Sequence, residues 1–505
     1  MSQNALRAAD PSSPEVMTKR AWWLVALNVL VPGSAQTLAG NRRFGRFAMT
    51  LTLVFWVLVV VAVIAAIVGR TEALVLIANP IVLWVLAVLL ALYGLLWLVC
   101  TLDTLRLLRL VRVRRASRLG VAVVAVVALV VTGGAAFAGA VAAGRTAHVL
   151  AEVGSNTIQI IGPDGKPVNV GPFDGEANIL LLGTDTRTGQ AGFQDKADLA
   201  GSSGAGNNDV NILIHLSTKS QSVTAVSIPR DLDISQPACK RSDGTTAPAV
   251  TARFNTALER GGVSCAVTVA SQLTGLSIPY VGLVSFDGVI AMSDAVGGVS
   301  VCLAAPIDDP YTGLKLPAGT STLQGATALA FLRTRHGLST GSDLQRISNQ
   351  QVFLSALLRQ VTSSGTLTNP GRLLDLAEAA AKNMVLSSDL GQTGTLVSMA
   401  LALKSIPLSR IAFVQYPSTP KTIHGQDVTL PLTGDADTLM QALAQDEAVA
   451  AGGLGSAAVA GPSSGSTPSP TPSPSASSTV STPVPLPTTI SGQSAQEQTC
   501  SAGRG

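Results

Sequence analysis

Three arginines, Arg333, Arg335 and Arg346, stand within fourteen positions of one another, beside Asp343 and Gln350, in a chain that is only 13% charged. Guanidinium groups gathered this way suit phosphate oxygens, which they grip two bonds at a time. Three further polar stretches accompany them: GTDTR (183–187), NND (207–209) and SIPRD (227–231). Together these supply Asp185, Arg187, Asp209, Arg230 and Asp231. Carboxylates among arginines make chemical sense when a divalent cation bridges them to phosphates, since Mg²⁺ takes one or two carboxylates along with phosphate oxygens. The combination reads as a pyrophosphate and metal site. Surface salt bridges, such as Arg346 with Asp343, are the simpler reading of any one arginine taken alone.

The elements that must position these groups follow from hydropathy. Asp185 ends the apolar run NILLLGTD, Asp209 opens VNILIHLS, and Arg230 and Asp231 close QSVTAVSIP, so each sits at the tip of an expected strand. YVGLVSF and VSVCLA read as further strands. ARFNTALERGG, CAVTVASQLTGL, DGVIAMSDAVGG, GATALAFLRTR and SDLQRISNQQVFLSALLRQV read as helices, the last capped by Ser342 or Asp343. Arg346 and Gln350 are four apart and share a helix face. The preceding helix is expected to end near Leu332, leaving Arg333 to Arg335 extended. Alternating strands and helices over 177–450 predict one α/β domain with a central mixed sheet flanked by helices.

Mean hydropathy is +0.41, high for a wholly soluble chain. Runs at 47–69, 73–100 and 119–144 are each long enough to cross a bilayer. The shorter apolar stretch within 21–46 is basic at both ends and contains Pro32 and Gly33, which predicts a re-entrant or interfacial segment. The arginine-rich loop at 103–118 belongs on the cytoplasmic side. Residues 1–20 are then cytoplasmic, and everything after the third span is extracytoplasmic, beginning with a stalk over 145–176. The Ser/Pro/Thr-rich composition of 451–505 predicts a disordered tail. Four of the five cysteines, Cys239, Cys265, Cys302 and Cys500, fall in the external part, where disulfides persist. Cys239 with Cys265 is the favoured pair because the two flank a polar, Gly-containing loop, leaving Cys302 and Cys500.

Other functional classes find little support. The net charge of +4 and the lack of a basic groove pattern argue against nucleic acid. His148, His215, His336 and His424 are scattered without metal-ligand spacing, and His215, in an apolar strand, reads as structural. Neither a G-x-S-x-G pattern nor a nucleotide-binding glycine motif occurs in a sensible context.

NILLLGTDTR, SIPRD, FNTAL followed by GG, DAVGGVSVC, LAFLRTR and SDLQRISNQQ occur in the order and spacing of the LytR-CpsA-Psr family of cell-wall glycopolymer phosphotransferases, and the chain resembles its actinobacterial type. The resemblance implies transfer of a glycopolymer from a polyprenyl-pyrophosphate carrier to peptidoglycan at the membrane. It implies Mg²⁺ or Mn²⁺ at Asp185 and Asp209. Arg230, Arg333, Arg335 and Arg346 fall on the pyrophosphate-binding arginines, and Gln350 on a motif glutamine. Where the family has an arginine two residues before the second aspartate, this chain has Asn207, and Arg187 is the candidate replacement. Either Asp185 or Asp231 would serve as base toward the acceptor hydroxyl. A non-catalytic receptor for lipid-linked glycan, or a hydrolase of the same lipid, would use the same arginines.

Overall fold

The computed structural model describes residues 10, 12–68, 75, 76, 78–162, 164–187, 205–241, 244–363, 369–461 and 482–504. The chain divides into two compact units, Met1–Ala151 and Glu152–Gly505.

The first unit is helical. Helices α1 (Pro14–Leu30), α2 (Ser34–Ala39), α3 (Arg42–Val68), α4 (Pro80–Leu108) and α5 (Arg115–Ser155) follow in order. Three helical segments, Arg42–Ala65, Pro80–Arg112 and Arg115–Ser155, are long and apolar enough to cross a membrane. Val54, Val57, Val85 and Val127 are among the many large apolar side chains left exposed on them, as a lipid-facing surface requires. Residues 21–46, expected as a re-entrant or interfacial segment, form the end of α1, a turn through Pro32 and Gly33, α2 and the start of α3. Their polar groups are spent on α4: Asn28 donates to Thr101 Oγ1 (2.9 Å), and buried Gln36 donates to the Cys100 carbonyl (2.7 Å) and to Thr104 Oγ1 (2.9 Å). Residues 69–74, where the first two expected spans meet, lie outside the described residues.

The second unit is built on an eight-stranded mixed sheet. Numbered within this sheet, its strands are β1 (Thr157–Ile158), β2 (Glu176–Thr184), β3 (Asn208–Ser217), β4 (Ser222–Ser227), β5 (Tyr280–Val284), β6 (Met384–Ser387), β7 (Ile411–Gln415) and β8 (Gly492–Ser494), in spatial order β1-β6-β5-β2-β3-β4-β7-β8. β2 runs parallel to β5 and antiparallel to β3; β3 is antiparallel to β4, which is parallel to β7. The unbroken apolar run of β2 is explained by burial on both faces. Leu180 and Leu182 pack with α6 (Ala257–Thr274) and α12 (Thr433–Ala444), while Ile179 and Leu181 face the opposite cluster with Met399 and Ala402 of α11 (Thr393–Ser405). The remaining helices are α7 (Phe286–Ala295), α8 (Gly325–Arg333), α9 (Asp343–Ser363) and α10 (Pro370–Asn383).

Several expectations change here. Helix structure runs to Ser155, and 157–158 is already an edge strand of the sheet, so the stretch expected as a stalk starts as helix and contributes a strand to the domain. ARFNTALERGG begins as a strand, Val250–Arg253, and a single helical turn before α6 starts at Ala257. The tail expected over 451–505 is ordered at both ends. Residues 458–460 and 499–501 join a second, four-stranded sheet with 299–303 and 319–323, and β8 extends the main sheet. Residues 462–481 lie outside the described residues. Two disulfides, Cys239–Cys265 and Cys302–Cys500, hold this unit, and Cys100 is free.

Candidate functional site: an arginine and aspartate cluster at one sheet edge

β2, β4 and β5 run in the same direction, so their carboxyl ends, and the start of antiparallel β3, share one edge of the sheet. Loops on that edge of an α/β sheet are the usual place for a ligand. A register shift at Gly183 and Thr184 turns the end of β2, and Asp185 and Asn207 then bridge the gap. The Asp185 N–H donates to the Asn207 carbonyl (3.1 Å), and the Asn207 N–H donates to Asp185 Oδ1 (2.6 Å). Gly206 makes this turn possible. Its φ is +68°, and a Cβ there would lie 2.6–2.8 Å from the Thr186 nitrogen, Asp185 Oδ1 and Thr184 Oγ1. Gly206→Ala should therefore cost about 1–2 kcal/mol in backbone strain, lowering the melting temperature by roughly 2–4 °C per kcal/mol. A thermal melt unchanged from the parent would show that the turn is not held as described.

Arg230 is the hub. Its guanidinium donates to Asp209 Oδ2 at 2.7 Å and lies 3.7 Å from Asp231 and 3.8 Å from Asp343. Burial alone would depress its pKa, but the three carboxylates outweigh burial and raise it. Ser342 is the cap of α9, its Oγ accepting from the Gln345 N–H (3.3 Å). Asp343 is thereby released to accept from the Arg230 N–H (3.2 Å) and to pair with Arg346 (2.6 Å). Arg346 is buried and also donates to the Asp209 carbonyl (2.8 Å). In this structure Arg346 thus braces the cluster, and the pair with Asp343 is not on the surface. Gln350 is buried and donates to the Leu332 carbonyl (2.9 Å), closing the end of α8 beneath the arginines.

α8 ends at Arg333, one residue past the expected Leu332, so Arg333 is helical and not extended, and the chain leaves the helix at Thr334 (φ −59°, ψ 136°). Fully buried Asp309 fixes this exit: it accepts from Thr334 Oγ1 (2.5 Å), from the Arg335 N–H (3.0 Å) and from the Tyr311 N–H (3.0 Å). Arg335 reaches Asp231 at 3.5 Å, and Arg253 reaches the same carboxylate at 3.8 Å. Burial raises the Asp231 carboxyl above its ordinary pKa; Asp343 adds to the rise, while Arg230, Arg335 and Arg253 oppose it. Arg333 differs from the others. It lies 4.5 Å over the Phe286 ring and, among the described residues, pairs with no carboxylate. Burial, and after it the nearby Arg187, depress its pKa, with Asp209 and Asp185 opposing the fall.

All the motif residues therefore converge on one edge. Arg253, Asp309 and Phe286 join them without having been singled out from sequence; Arg253 precedes FNTAL, which was the available signal, whereas nothing local marks Asp309. Asp209 keeps one oxygen, Oδ1, buried and without a hydrogen-bond partner. A carboxylate oxygen left in that state suits a cation, so Asp209 is where a divalent ion would fit. A separate group, Glu176, His215 and Asp446, has ligand atoms all within 4.8 Å of one another and can also hold a divalent cation.

A mixed sheet with motif loops gathered on one edge defines the second unit as an α/β domain, which follows the membrane-length helices in the sequence. The family model described as LytR_cpsA_psr matches residues 152–445, and the chain belongs to that family. It is 34% identical over 267 residues to the cell wall biosynthesis protein LcpA of Corynebacterium glutamicum, covering 49% of this chain and 51% of that protein. It is 25% identical over 280 residues to the polyisoprenyl-teichoic acid–peptidoglycan teichoic acid transferase TagT of Bacillus subtilis, covering 54% of this chain and 77% of that one. A LytR-Csp2A-Psr enzyme from Actinomyces oris superposes with a TM-score of 0.42 at 22% identity, over 57% of this chain and 94% of the other. The chain spans about half the length of LcpA.

Proposed function

We propose that this protein is a multi-pass membrane phosphotransferase whose extracytoplasmic domain moves a glycopolymer from a polyprenyl-pyrophosphate carrier to peptidoglycan. The observation that carries this reading is Arg333, a half-buried guanidinium beside Arg187 that, among the described residues, forms no ion pair with a carboxylate, although Asp209 and Asp185 lie near enough to favour its charge. A cation held away from water beside a like charge is costly until an anion arrives. Arg230 and Arg335, by contrast, are balanced by aspartates and can exchange those partners for phosphate oxygens. TagT of Bacillus subtilis, a polyisoprenyl-teichoic acid–peptidoglycan teichoic acid transferase, carries out a reaction of the same kind.

In the proposed reaction the acceptor hydroxyl oxygen attacks the phosphorus nearer the glycan. The bond from that phosphorus to the bridging oxygen breaks, and polyprenyl phosphate leaves with the electron pair. Arg333 and Arg335 take up the charge on the leaving phosphate, and Asp231 takes the hydroxyl proton. Asp231 suits that task because its raised pKa brings it nearer the working pH than an ordinary aspartate. Mg²⁺ or Mn²⁺ held by Asp185 and Asp209 would neutralise pyrophosphate oxygens. Gln350, Asp343 and Arg346 hold the arginines in place.

Arg333→Ala should remove a charge-assisted fork worth about 1.5–3 kcal/mol per bond, or roughly 10- to 100-fold in turnover. The melting temperature should barely move, since only the Phe286 contact is lost. The measurement is cleavage of a polyprenyl-pyrophosphate-linked glycan by the full-length protein in detergent, with and without a peptidoglycan acceptor and with and without Mg²⁺. Lys382→Ala, on an exposed intrahelical pair with Glu378, is the control. Equal losses in the two variants would make the arginine cluster structural. Cleavage at the same rate without acceptor would indicate a hydrolase, and binding without cleavage a receptor.

A further inference from the structure

The opposite edge of the main sheet carries a polar group that the proposed reaction does not use. Leu182, Leu180, Asn178 and Glu176 alternate along one face of β2, and across from them on β3 Leu213 pairs with Leu180 and His215 with Asn178. The row is thus apolar core that turns polar at the start of β2. His215 is only 1% exposed. It stands six residues along β3 from Asp209, roughly 20 Å at a strand's rise per residue.

The hydrogen bonds around His215 determine which ring nitrogen carries the proton. Asn178 donates its amide to the Ser277 carbonyl (3.0 Å), so its Oδ1 is turned toward His215 Nδ1 at 2.9 Å. Nδ1 must then be the N–H donor. The other nitrogen, Nε2, faces Asp446 Oδ1 at 3.1 Å. In the neutral ring, two lone pairs point at each other across 3.1 Å. Asp446 is held in this position by the backbone: it follows the C-terminus of α12 with φ +62°, its N–H bonded to the Leu443 carbonyl (3.0 Å). Two ligands of a tetrahedral ion at roughly 2.0–2.1 Å stand roughly 3.3 Å apart, which matches the Nε2–Oδ1 separation. Glu176 supplies a third oxygen within 4.8 Å, from an exposed side chain free to adjust.

We propose that Glu176, His215 and Asp446 form a second metal site, for a cation of the zinc class, which ties the paired ends of β2 and β3 to the C-terminus of α12. One imidazole with two carboxylates favours zinc over the oxygen-loving Mg²⁺ and Ca²⁺. Asn178 plays the outer role usual for a ligating histidine, fixing the tautomer through the second nitrogen. This site is independent of the arginine site and of the transfer reaction proposed for it.

The test uses the metal-stripped full-length chain in detergent at neutral pH, with excess Mg²⁺ present, titrated with ZnCl₂ and followed by calorimetry and thermal melts. One zinc should bind per chain and raise the melting temperature. At one hundred times its dissociation constant, zinc should favour the folded state by about 100-fold. Asp446→Asn is the decisive variant. It should lose the zinc response yet melt no lower than the parent without metal, because the new amide donates to His215 Nε2. Asn178→Ala should weaken zinc by roughly 10- to 100-fold, and Asp209→Asn should leave zinc binding unchanged. The proposal is overturned by a parent protein that does not respond to zinc, or by a response that survives Asp446→Asn. It is equally overturned if the response disappears in Asp209→Asn, or if metal-free Asp446→Asn melts lower, the mark of a plain imidazolium–carboxylate pair.

Discussion

Asp231→Asn is expected to lower turnover by roughly 10²- to 10⁴-fold, the range for losing a general base, while leaving the fold intact. The amide has the same shape and can still meet the guanidinium groups of Arg335 and Arg253 through its oxygen. The pH profile carries the sharper expectation. Burial and Asp343 raise the Asp231 pKa above the ordinary value of 3.8, so the acid limb of kcat/KM should lie above that of a normal aspartate. Activity is present when the carboxylate is ionised and is lost as pH falls through the raised pKa. Asp343→Asn removes a charge that raises it and should move the limb to lower pH. Arg335→Gln removes a charge that lowers it and should move the limb to higher pH. If Asp231→Asn keeps both its rate and its acid limb, the proton goes elsewhere, and Asp185 becomes the candidate base.

A chain ending at Gly461 should lose cooperative folding of the second unit, although the removed segment looks like a linker in sequence. Residues 499–501 lie between 299–303 and 458–460 in the four-stranded sheet, and β8 covers the free edge of β7. Buried Gln493 donates to the Gln351 carbonyl (3.0 Å) and to Ser355 Oγ (2.6 Å) of α9, the helix that carries Arg346. Arg359 of the same helix donates to the Ala495 carbonyl (2.9 Å), so Arg359→Ala is a stability variant and not a neutral one. The truncation also removes the Cys302–Cys500 bond, which joins positions 198 apart. A native disulfide contributes about 2–5 kcal/mol, and marginal stability of about 5–15 kcal/mol leaves little after the strands and hydrogen bonds go with it. Thermal melts and limited proteolysis of the truncated and full-length chains provide the comparison. Cys302→Ser with Cys500→Ser should fall between them. A truncated chain that melts like the parent would show that the terminal strands are dispensable.

Local pattern was enough wherever a segment's own apolar residues decide its state. The runs that became the membrane-length helices were legible from their length and all-round apolar surface, and those of β2 and β3 because burial of a strand on both faces favours a largely apolar stretch. Arg333 and Arg335, two apart after a helical run, placed the end of α8 to within a residue, and the motif order pointed to a family whose model covers 152–445. Cys239 and Cys265 were paired from the loop between them. What composition could not convey is long-range placement. Residues 499–501 are three polar or small residues with no periodicity of their own; their strand exists because two other strands and a distant cysteine receive them. The partners of each charge were equally hidden. Asp343 could have capped α9, but Ser342 does so, and only the approach of the 228–231 loop turns Asp343 toward Arg230. His215 looked like a core histidine on its strand, and it is buried; that its second nitrogen meets a carboxylate 231 positions away depends on where α12 ends. Residue type and spacing determine what chemistry is available, whereas the meeting of strand ends at one edge or the other determines which groups can act together, because ion pairing and metal binding fall off within a few ångströms while sequence separation is blind to them.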